Sequence, residues 1–289
     1  MLYLIGIIAV GVMLLLQFLT RNILNSFLIR LVSGVILVLL ALLTIVSGGW
    51  VLFCTTLILS LIGMSELYRA LGIRTGSRQN RLELFGYLAC GVYYAFIGFL
   101  PQRAGWLGIL VALILILALY VFTFPVYQYT EVIRCFFAVL YVGVMLSCVY
   151  LTRIMTGGIW LAWLIFLSAW GSDTCAYCAG MLWGKHKMTP VLSPKKTVEG
   201  AIGGVAGAVI LGMLYGLITK GQVKEYMLIC LAGAFISMIG DLAASAIKRQ
   251  TEIKDYGTLI PGHGGILDRF DSVIFTAPAV YLMALLLIR

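Results

Sequence analysis

Long stretches without a single charged residue limit what this chain can fold into. Such runs include residues 1–20, 31–65, 104–130, 154–172 and 272–288. Each run meets or approaches the ~20 consecutive apolar residues that a helix needs to cross a bilayer. No strict alternation of apolar and polar residues runs through them, which argues against a membrane β-barrel. Hydrophobic residues make up 62% of the chain, above the roughly 45–50% of soluble domains, so we predict an all-α, polytopic integral membrane protein.

Turn signals divide these runs into about ten predicted transmembrane helices, or nine to ten allowing for uncertain ends. The run at 31–65 is too long for one span, and Gly48-Gly49 is the expected turn between two helices. The first helix has no basic residue before its apolar stretch, which is longer than that of a signal peptide, so we expect it to be retained. The predicted helices cover residues 2–19, 31–47, 50–69, 84–101, 105–124, 133–152, 157–182, 201–219, 225–247 and 271–288.

The basic residues lie mostly on one side of this predicted topology. The loops after the first, third, fifth, seventh and ninth helices carry all of the 20 Lys and Arg residues except Arg103, Arg153, Lys220, Lys224 and Arg289. Because cytoplasmic loops are enriched in Lys and Arg, we expect these loops in the cytoplasm and both termini outside a plasma or inner membrane. The net charge of +9 is scattered between spans without a nucleic-acid-binding motif, so nucleic acid is not expected as a partner. Attraction of anionic lipid head groups is an alternative use of this charge.

Residues 241–271 concentrate charge in a chain that is only 11% charged. Polar groups beside a bilayer are costly unless they bind something, so this segment is the expected site. Asp241, Ser245 and Lys248 are spaced to share one helical face. The carboxylate of Asp241 then needs a cation partner. This partner is either a bound metal ion or, in a structural ion pair, the side chain of Lys248 or Arg249.

A second part of this segment is a glycine-rich loop followed by two aspartates. Residues 261–265 read Pro-Gly-His-Gly-Gly and permit a backbone tight enough to approach a phosphate. Asp268 and Asp271 come just before an apolar helix, where acidic residues also serve as ordinary partners of the helix dipole. Oxygen ligands from Asp241 and Asp268 suit Mg²⁺ rather than Zn²⁺, and Mg²⁺ beside several Lys and Arg indicates a phosphate substrate.

Two stretches resemble one known family. The first comprises Ser245-Ala-Ile-Lys248-Arg249, Lys254-Asp255 and Leu259-Ile-Pro-Gly-His263-Gly264-Gly265-Ile-Leu-Asp268-Arg269-Phe-Asp271. The second comprises Trp170-Gly171-Ser-Asp173-Thr-Cys-Ala-Tyr177, Gly180, Gly184-Lys185-His186-Lys187 and Ser193-Pro194-Lys195-Lys196-Thr197-Val-Glu199-Gly200. Both look like the signature of the phosphatidate cytidylyltransferases, also called CDP-diglyceride synthases. The likeness extends from about residue 31 to the C-terminus.

The resemblance implies an enzyme that transfers a cytidylyl group from CTP to phosphatidic acid, giving CDP-diacylglycerol and pyrophosphate with Mg²⁺. It also implies a second, monovalent cation such as K⁺, and a homodimer. In this interpretation residues 1–30 hold an extra N-terminal helix, 31–156 the N-terminal and middle helices, and 157–289 the catalytic region with its cytoplasmic loops.

Residue roles follow from the same resemblance and from charge. We expect Asp241 and Asp268 to bind Mg²⁺, with Asp173 as a further candidate ligand. Lys248, Arg249 and Lys254 are expected to offset charge on the pyrophosphate or the lipid phosphate. The other expected substrate-binding residues are Lys187, Ser193, Lys195, Lys196, Thr197, Ser245, Asp255, His263, Gly264, Gly265, Arg269 and Asp271.

Two of these assignments carry alternatives. Asp173 is an acidic residue within a predicted span, which favours a functional role. Tyr177, Gly180 and Gly184 continue its helical face, and small residues at this spacing often serve only helix packing. The loop at 185–199 lacks the glycines of a P-loop, and anchoring of the cytoplasmic side is the alternative to binding nucleotide phosphates. His186 is expected to be a loop residue rather than a catalyst.

Other functions remain open from the residues alone. The nearest are a CTP-dependent polyprenol or phytol kinase and a cytidylyltransferase for another phospholipid. A lipid or ion transporter would use the same intramembrane carboxylates, but no internal repeat typical of transporters is present in the sequence. The Asp-Gly-x-x-Ala-Arg pattern of the CDP-alcohol phosphotransferases is also absent.

Overall fold

The computed structural model describes residues 26–73, 80–100, 104–260, 262 and 264–288. Nine helices form this part of the chain. They are α1 (Ser26–Ser47), α2 (Gly49–Ala70), α3 (Arg81–Phe99), α4 (Gly105–Phe122), α5 (Tyr129–Arg153), α6 (Gly158–Trp183), α7 (Val198–Thr219), α8 (Val223–Gln250) and α9 (Leu267–Leu287).

The helices α2 to α9 are each long and apolar enough to cross a membrane, and α1 contributes a shorter apolar stretch at Val32–Ser47. This confirms the predicted fold class, an all-α polytopic membrane protein. The helix predicted at residues 2–19 lies outside the described residues. The helices α1 and α5 begin five and four residues before their predicted starts. The helix α9 also begins four residues before the predicted start at 271, so that Asp268 lies in its first turn.

A glycine turn separates α1 from α2, as predicted. Gly48 and Gly49 both have positive φ, which side chains other than glycine rarely adopt. The turn is filled by Arg153 at the end of α5, whose Nε donates to the carbonyl oxygen of Ile45 at 2.8 Å. A Cβ added at Gly48 would lie only 2.8 Å from the Arg153 guanidinium. The break therefore needs glycine for its backbone, and a side chain at Gly48 would displace the Arg153 guanidinium.

Two of the long helices contain a π-helical turn. In α5 it covers Val139–Val144, and in α6 it covers Leu167–Gly171. Such turns are often found at functional sites, because they change which face of the helix the following residues occupy. The turn in α6 ends two residues before Asp173, so it sets the direction of that side chain.

The second half of α6 packs closely on α7 through small residues. Cβ atoms added at Gly203 and Gly207 would collide with Ala179 and with the Sγ of Cys175. On the facing side, a Cβ added at Gly180 would lie 3.0 Å from the Thr197 hydroxyl. Gly180 in the small-residue stripe of α6 therefore packs against the start of α7, and the functional role expected of Asp173 stays a prediction.

The last three helices are packed in chain order. The helix α8 lies between α7 and α9, and α9 also packs on the second half of α5. The approach of α8 to α9 is close, because a Cβ added at Gly240 would be 2.7 Å from the Cβ of Phe275. As a result Asp241, the next residue of α8, lies next to the first turns of α9.

A short β-hairpin connects α6 to α7, where a loop was expected. Strand β1 (Lys187–Thr189) pairs antiparallel with β2 (Ser193–Thr197), with Lys187 opposite Thr197. The strands have only three and five residues, and three residues are too few to establish a period while Ser-Pro-Lys-Lys-Thr shows no alternation, so no periodic signal predicts them. The hairpin gives the lysines of this segment a defined direction.

Candidate functional site

Asp268, in the first turn of α9, joins three segments of the C-terminal region. It is 7% exposed. Its Oδ1 accepts a hydrogen bond from Lys248 Nζ at 3.0 Å. Its Oδ2 accepts the backbone N–H groups of Tyr256 and Gly265, both at 2.9 Å. These three hydrogen bonds fix the loop between α8 and α9.

Tyr256 is the inner support of that loop. Its hydroxyl donates to the carbonyl oxygen of Ala244 in α8 at 2.9 Å, and its ring lies 5.4 Å from Lys248 Nζ. Burial raises the pKa of Tyr256 above its usual range, so the phenol stays protonated and keeps this bond at physiological pH. The loop is therefore held to α8 at its start and to α9 at its end.

The glycines of the loop make room for a carboxylate. Ile260 and Gly264 form an isolated antiparallel bridge, and Gly264 has a φ of 89°. A Cβ added at Gly264 would lie 2.8 Å from Asp268 Oδ2. The tight backbone predicted from the sequence is present, and in this structure its immediate neighbour is Asp268. Its predicted contact with a substrate phosphate stays a prediction.

A second group of charges lies where α6, α8, α9 and the hairpin meet. Asp241 forms an ion pair with Lys196 of β2. Asp173 in α6 and Asp271 in α9 both lie near enough to Asp241 for their charges to repel it. Asp173 Oδ2 also accepts a hydrogen bond from the hydroxyl of Ser272 at 3.2 Å. Lys196 thus faces Asp241 and Asp173, while the lysine near Asp271 is Lys248, so three neighbouring carboxylates are offset by two lysines and the place is attractive to cations.

The fit of this group to Mg²⁺ follows from its donor atoms. Within the described ranges no set of three or more His, Cys, Asp or Glu side chains is close enough to hold a metal ion by itself. Mg²⁺ is usually held by one or two carboxylates together with water and substrate phosphates, so such a set is not required. Carboxylate oxygens of Asp241, Asp173 and Asp271 are suitable ligands. Asp268 would have to share its Oδ1 with Lys248.

The hairpin that carries Lys196 is anchored to the start of α7. The Thr197 hydroxyl accepts the backbone N–H of Gly200 at 3.1 Å and so caps the helix. Glu199 accepts the backbone N–H groups of Lys185 and His186, and the His186 ring lies 2.6 Å from its carboxylate. His186 therefore has a local role in the hairpin, in line with its expected assignment as a loop residue.

The remaining predicted residues differ in their exposure. Lys187, Lys195, Arg249, Lys254, Asp255 and Arg269 are exposed, and Ser193 and Ser245 are partly buried. His263 lies outside the described residues. The substrate contacts expected of all these residues stay predictions.

Sequence reasoning missed Glu66 in α2. The residue is 1% exposed, and its carboxylate accepts the N–H groups of Ile266 and Leu267 at 3.0 and 2.9 Å. An acidic residue inside a predicted span was the signal that singled out Asp173, and it applied equally to Glu66. Its partner lies 200 residues away in the chain, so only the structure shows the connection.

Comparisons with known proteins agree on one family. A family model described as "Cytidylyltransferase family" matches residues 28–287. A phosphatidate cytidylyltransferase of Staphylococcus aureus strain COL is 35% identical over 268 residues, covering 88% of this chain and 98% of the relative. The proteins of the same name from Staphylococcus saprophyticus and Staphylococcus epidermidis are 33% and 31% identical over 264 residues, with the same coverage of both chains.

Proposed function

The chain belongs to the cytidylyltransferase family, and from that premise we propose that it transfers the cytidylyl group of CTP to phosphatidic acid. An oxygen of the lipid phosphate attacks the α-phosphorus of CTP, the bond from that phosphorus to the β-phosphate oxygen breaks, and pyrophosphate leaves. The lipid product is CDP-diacylglycerol. The observation that supports this best is the proximity of Asp173, Asp241 and Asp271, on three membrane-spanning helices, to Lys196 and Lys248.

The site is suited to a reaction that depends on alignment and charge. The lipid phosphate is largely ionised near neutral pH, so the reaction needs no strong general base. We assign Lys196 and Lys248 to the phosphates of the substrates, because each ammonium group already faces the cluster on a partly open side chain. Their side chains are 28% and 18% exposed. Arg249 and Lys254 extend this positive charge toward the aqueous side.

We propose that Mg²⁺ is held by Asp241 and Asp268, with Asp173 and Asp271 as further candidate ligands. When bound, the ion would neutralise charge on the nucleotide phosphates. A second, monovalent cation such as K⁺ and a homodimer are further expectations that follow from the family. The support for a divalent ion is the excess of carboxylates over lysines around Asp241.

The protein is a multi-pass membrane enzyme, and we propose that its site faces the cytoplasm across the plasma or inner membrane. The loops expected on that side carry most of the basic residues. Three contacts support their placement at a common end of the protein. Lys196 pairs with Asp241, Glu66 accepts Ile266 N–H, and Arg134 donates to the carbonyl oxygen of Leu71 at 3.1 Å. CTP is available on the cytoplasmic side.

The test is a reaction with purified protein in detergent, Mg²⁺, phosphatidic acid and CTP labelled in the cytidine. We expect a labelled lipid and unlabelled pyrophosphate. A lipid kinase would instead release labelled CDP and phosphorylate a lipid alcohol, and a transporter would form no product. A Lys196→Ala variant should lose most of the activity; a fully active variant would remove Lys196 from the proposed site.

A further inference from the structure

Glu66 is a buried carboxylate whose two oxygens are both used at the start of α9. Its Oε1 accepts the N–H of Ile266 and its Oε2 accepts the N–H of Leu267, the first residue of α9. The first N–H groups of a helix have no partner within the helix, and a negative charge there also interacts favourably with the helix dipole. Glu66 therefore ties the end of α2 to the start of α9.

The loop before α9 leaves space for this carboxylate by presenting bare backbone. A Cβ added at Gly265 would lie 2.5 Å from both oxygens of Glu66, and a Cβ added at Gly257 would collide with Oε1. Neither glycine has a positive φ, so neither is required by backbone conformation. Both positions exclude a side chain because Glu66 occupies the space. The contact with Glu66 therefore explains why residue 265 is glycine, besides the substrate contact expected from the sequence.

Glu66 and Asp268 hold the same short segment from two sides. Gly265 touches the Glu66 carboxylate, while its N–H donates to Asp268 Oδ2. Asp268 in turn accepts a hydrogen bond from Lys248 of α8. If the Glu66 carboxylate moved, Ile266 and Leu267 would move with it. Asp268 follows them directly in the chain and would be displaced, and so would Asp271, one turn later in α9.

One side of the loop lines an open pocket. Thr258 and Leu259 form its wall together with Glu66 of α2 and Tyr87 of α3, around a volume of about 510 Å³. The hydrogen bonds to Glu66 therefore restrain the loop beside this pocket, in addition to the contacts of Tyr256 and Asp268.

We propose that Glu66 is a positioning residue of the cytidylyl transfer, which it serves by fixing the loop 256–266 and the start of α9 so that Asp268 and Asp271 face Asp241. The expected effect of Glu66 on turnover rests on the function proposed above. Glu66 does not touch the reacting atoms in this scheme. It acts through the backbone N–H groups that it accepts, so its effect should appear in turnover rather than in substrate affinity.

The experiment compares Glu66→Gln with Glu83→Gln. Glu83 in α3 is also fully buried, and it accepts the Tyr87 hydroxyl at 2.5 Å, so it controls for losing a buried carboxylate. Glutamine can accept only one of the two N–H groups at the start of α9. We expect kcat per folded Glu66→Gln protein to fall roughly tenfold with KM for CTP within about twofold, since a small misalignment of reacting groups is costly. Glu83→Gln should keep kcat within about twofold.

A second pair of variants approaches the same contact from the loop. Gly257→Ala introduces a methyl group against Glu66, whereas a Cβ at Gly91 in α3 would meet nothing within 4 Å. Gly257→Ala should reproduce the fall in kcat, and Gly91→Ala should not. This pair decides the question if Glu66→Gln fails to fold.

Hydrogen–deuterium exchange gives a readout that does not depend on activity. In Glu66→Gln at least one of the two amides of Ile266 and Leu267 should exchange roughly tenfold faster, because glutamine can accept only one of them. Faster exchange with unchanged kcat would overturn the positioning role, and unchanged exchange would overturn the contact itself. A wild-type protein that forms no CDP-diacylglycerol would instead refute the proposed function, and the exchange data would still show whether Glu66 anchors α9.

Discussion

The pair formed by Lys248 and Asp268 can be tested by a double-mutant cycle with Asp268→Asn and Lys248→Met. In Asp268→Asn the amide oxygen can keep the N–H groups of Tyr256 and Gly265, but the amide nitrogen then faces Lys248 Nζ, which loses its acceptor. Breaking a buried ion pair costs about 3–5 kcal/mol. The Lys248 side chain is 18% exposed and can turn to water, while that of Asp268 is 2% exposed. We therefore expect a loss of about 2–3 kcal/mol in the free energy of unfolding.

Lys248→Met should cost about as much, because it leaves Asp268 Oδ1 without its donor in a buried place. The double variant should lose about 2 kcal/mol less than the sum of the two single variants, as expected for residues in direct contact. The measurement is unfolding of the purified protein in detergent by titration with SDS, followed by circular dichroism. Turnover should fall by at least about a hundredfold in Asp268→Asn, since alignment at the site is lost.

Glu252→Gln is the control for this cycle, because it removes an exposed carboxylate from the same loop. It should change the free energy of unfolding by less than about 0.5 kcal/mol. If the losses in the free energy of unfolding of the two single variants add up to the loss of the double variant within about 0.5 kcal/mol, the two residues are not coupled. Normal turnover in a folded Asp268→Asn variant would remove Asp268 from the site.

Three further expectations test other parts of the structure. Tyr256→Phe removes the hydrogen bond to Ala244 and should lower the free energy of unfolding by about 1 kcal/mol in the same SDS titration. Gly203→Val places a branched side chain against Ala179 and should destabilise the packing of α6 on α7 by about 1–3 kcal/mol, seen as a lower thermal transition. A reporter enzyme fused after Arg289 should be active only outside the cytoplasm, and a cytoplasmic signal would show that the number of spans is wrong.

The fold follows from the sequence because the bilayer allows few alternatives. A charge-free run of about 20 residues has little choice but to form a helix, and this places α2 to α9 within a few residues of their predicted positions. The apolar pattern does not predict the residues at which each helix begins and ends. The start of α9 at Leu267 rather than at residue 271 depends on Glu66, which accepts the first N–H groups of the helix. That carboxylate comes from a distant span.

The site was predictable as a set of residues but not as a set of pairs. Helical spacing correctly suggests that Asp241 and Lys248 share a face of α8, and an ion pair between them was one expectation. The structure instead pairs Asp241 with Lys196 of the hairpin and Lys248 with Asp268 of α9. Periodicity gives the face of a helix, whereas the neighbour across that face is decided by how the other elements pack. The hairpin, which has no periodic signal, supplies one of the two lysines.

The crossed pairing explains how a membrane enzyme can keep several carboxylates together without substrate. Unpaired charges in a site of low dielectric are costly, and three of the carboxylates near Asp241 and Asp268 repel one another. Lysines from other elements reduce this cost, because each lysine belongs to a different helix or strand from the carboxylate with which it pairs. An ammonium group on a flexible side chain can also turn to a phosphate without moving the backbone. The rigid parts of the site would then be the aspartates, held on α6, α8 and α9 with Glu66 behind them, and the lysines would be the parts that respond to substrate.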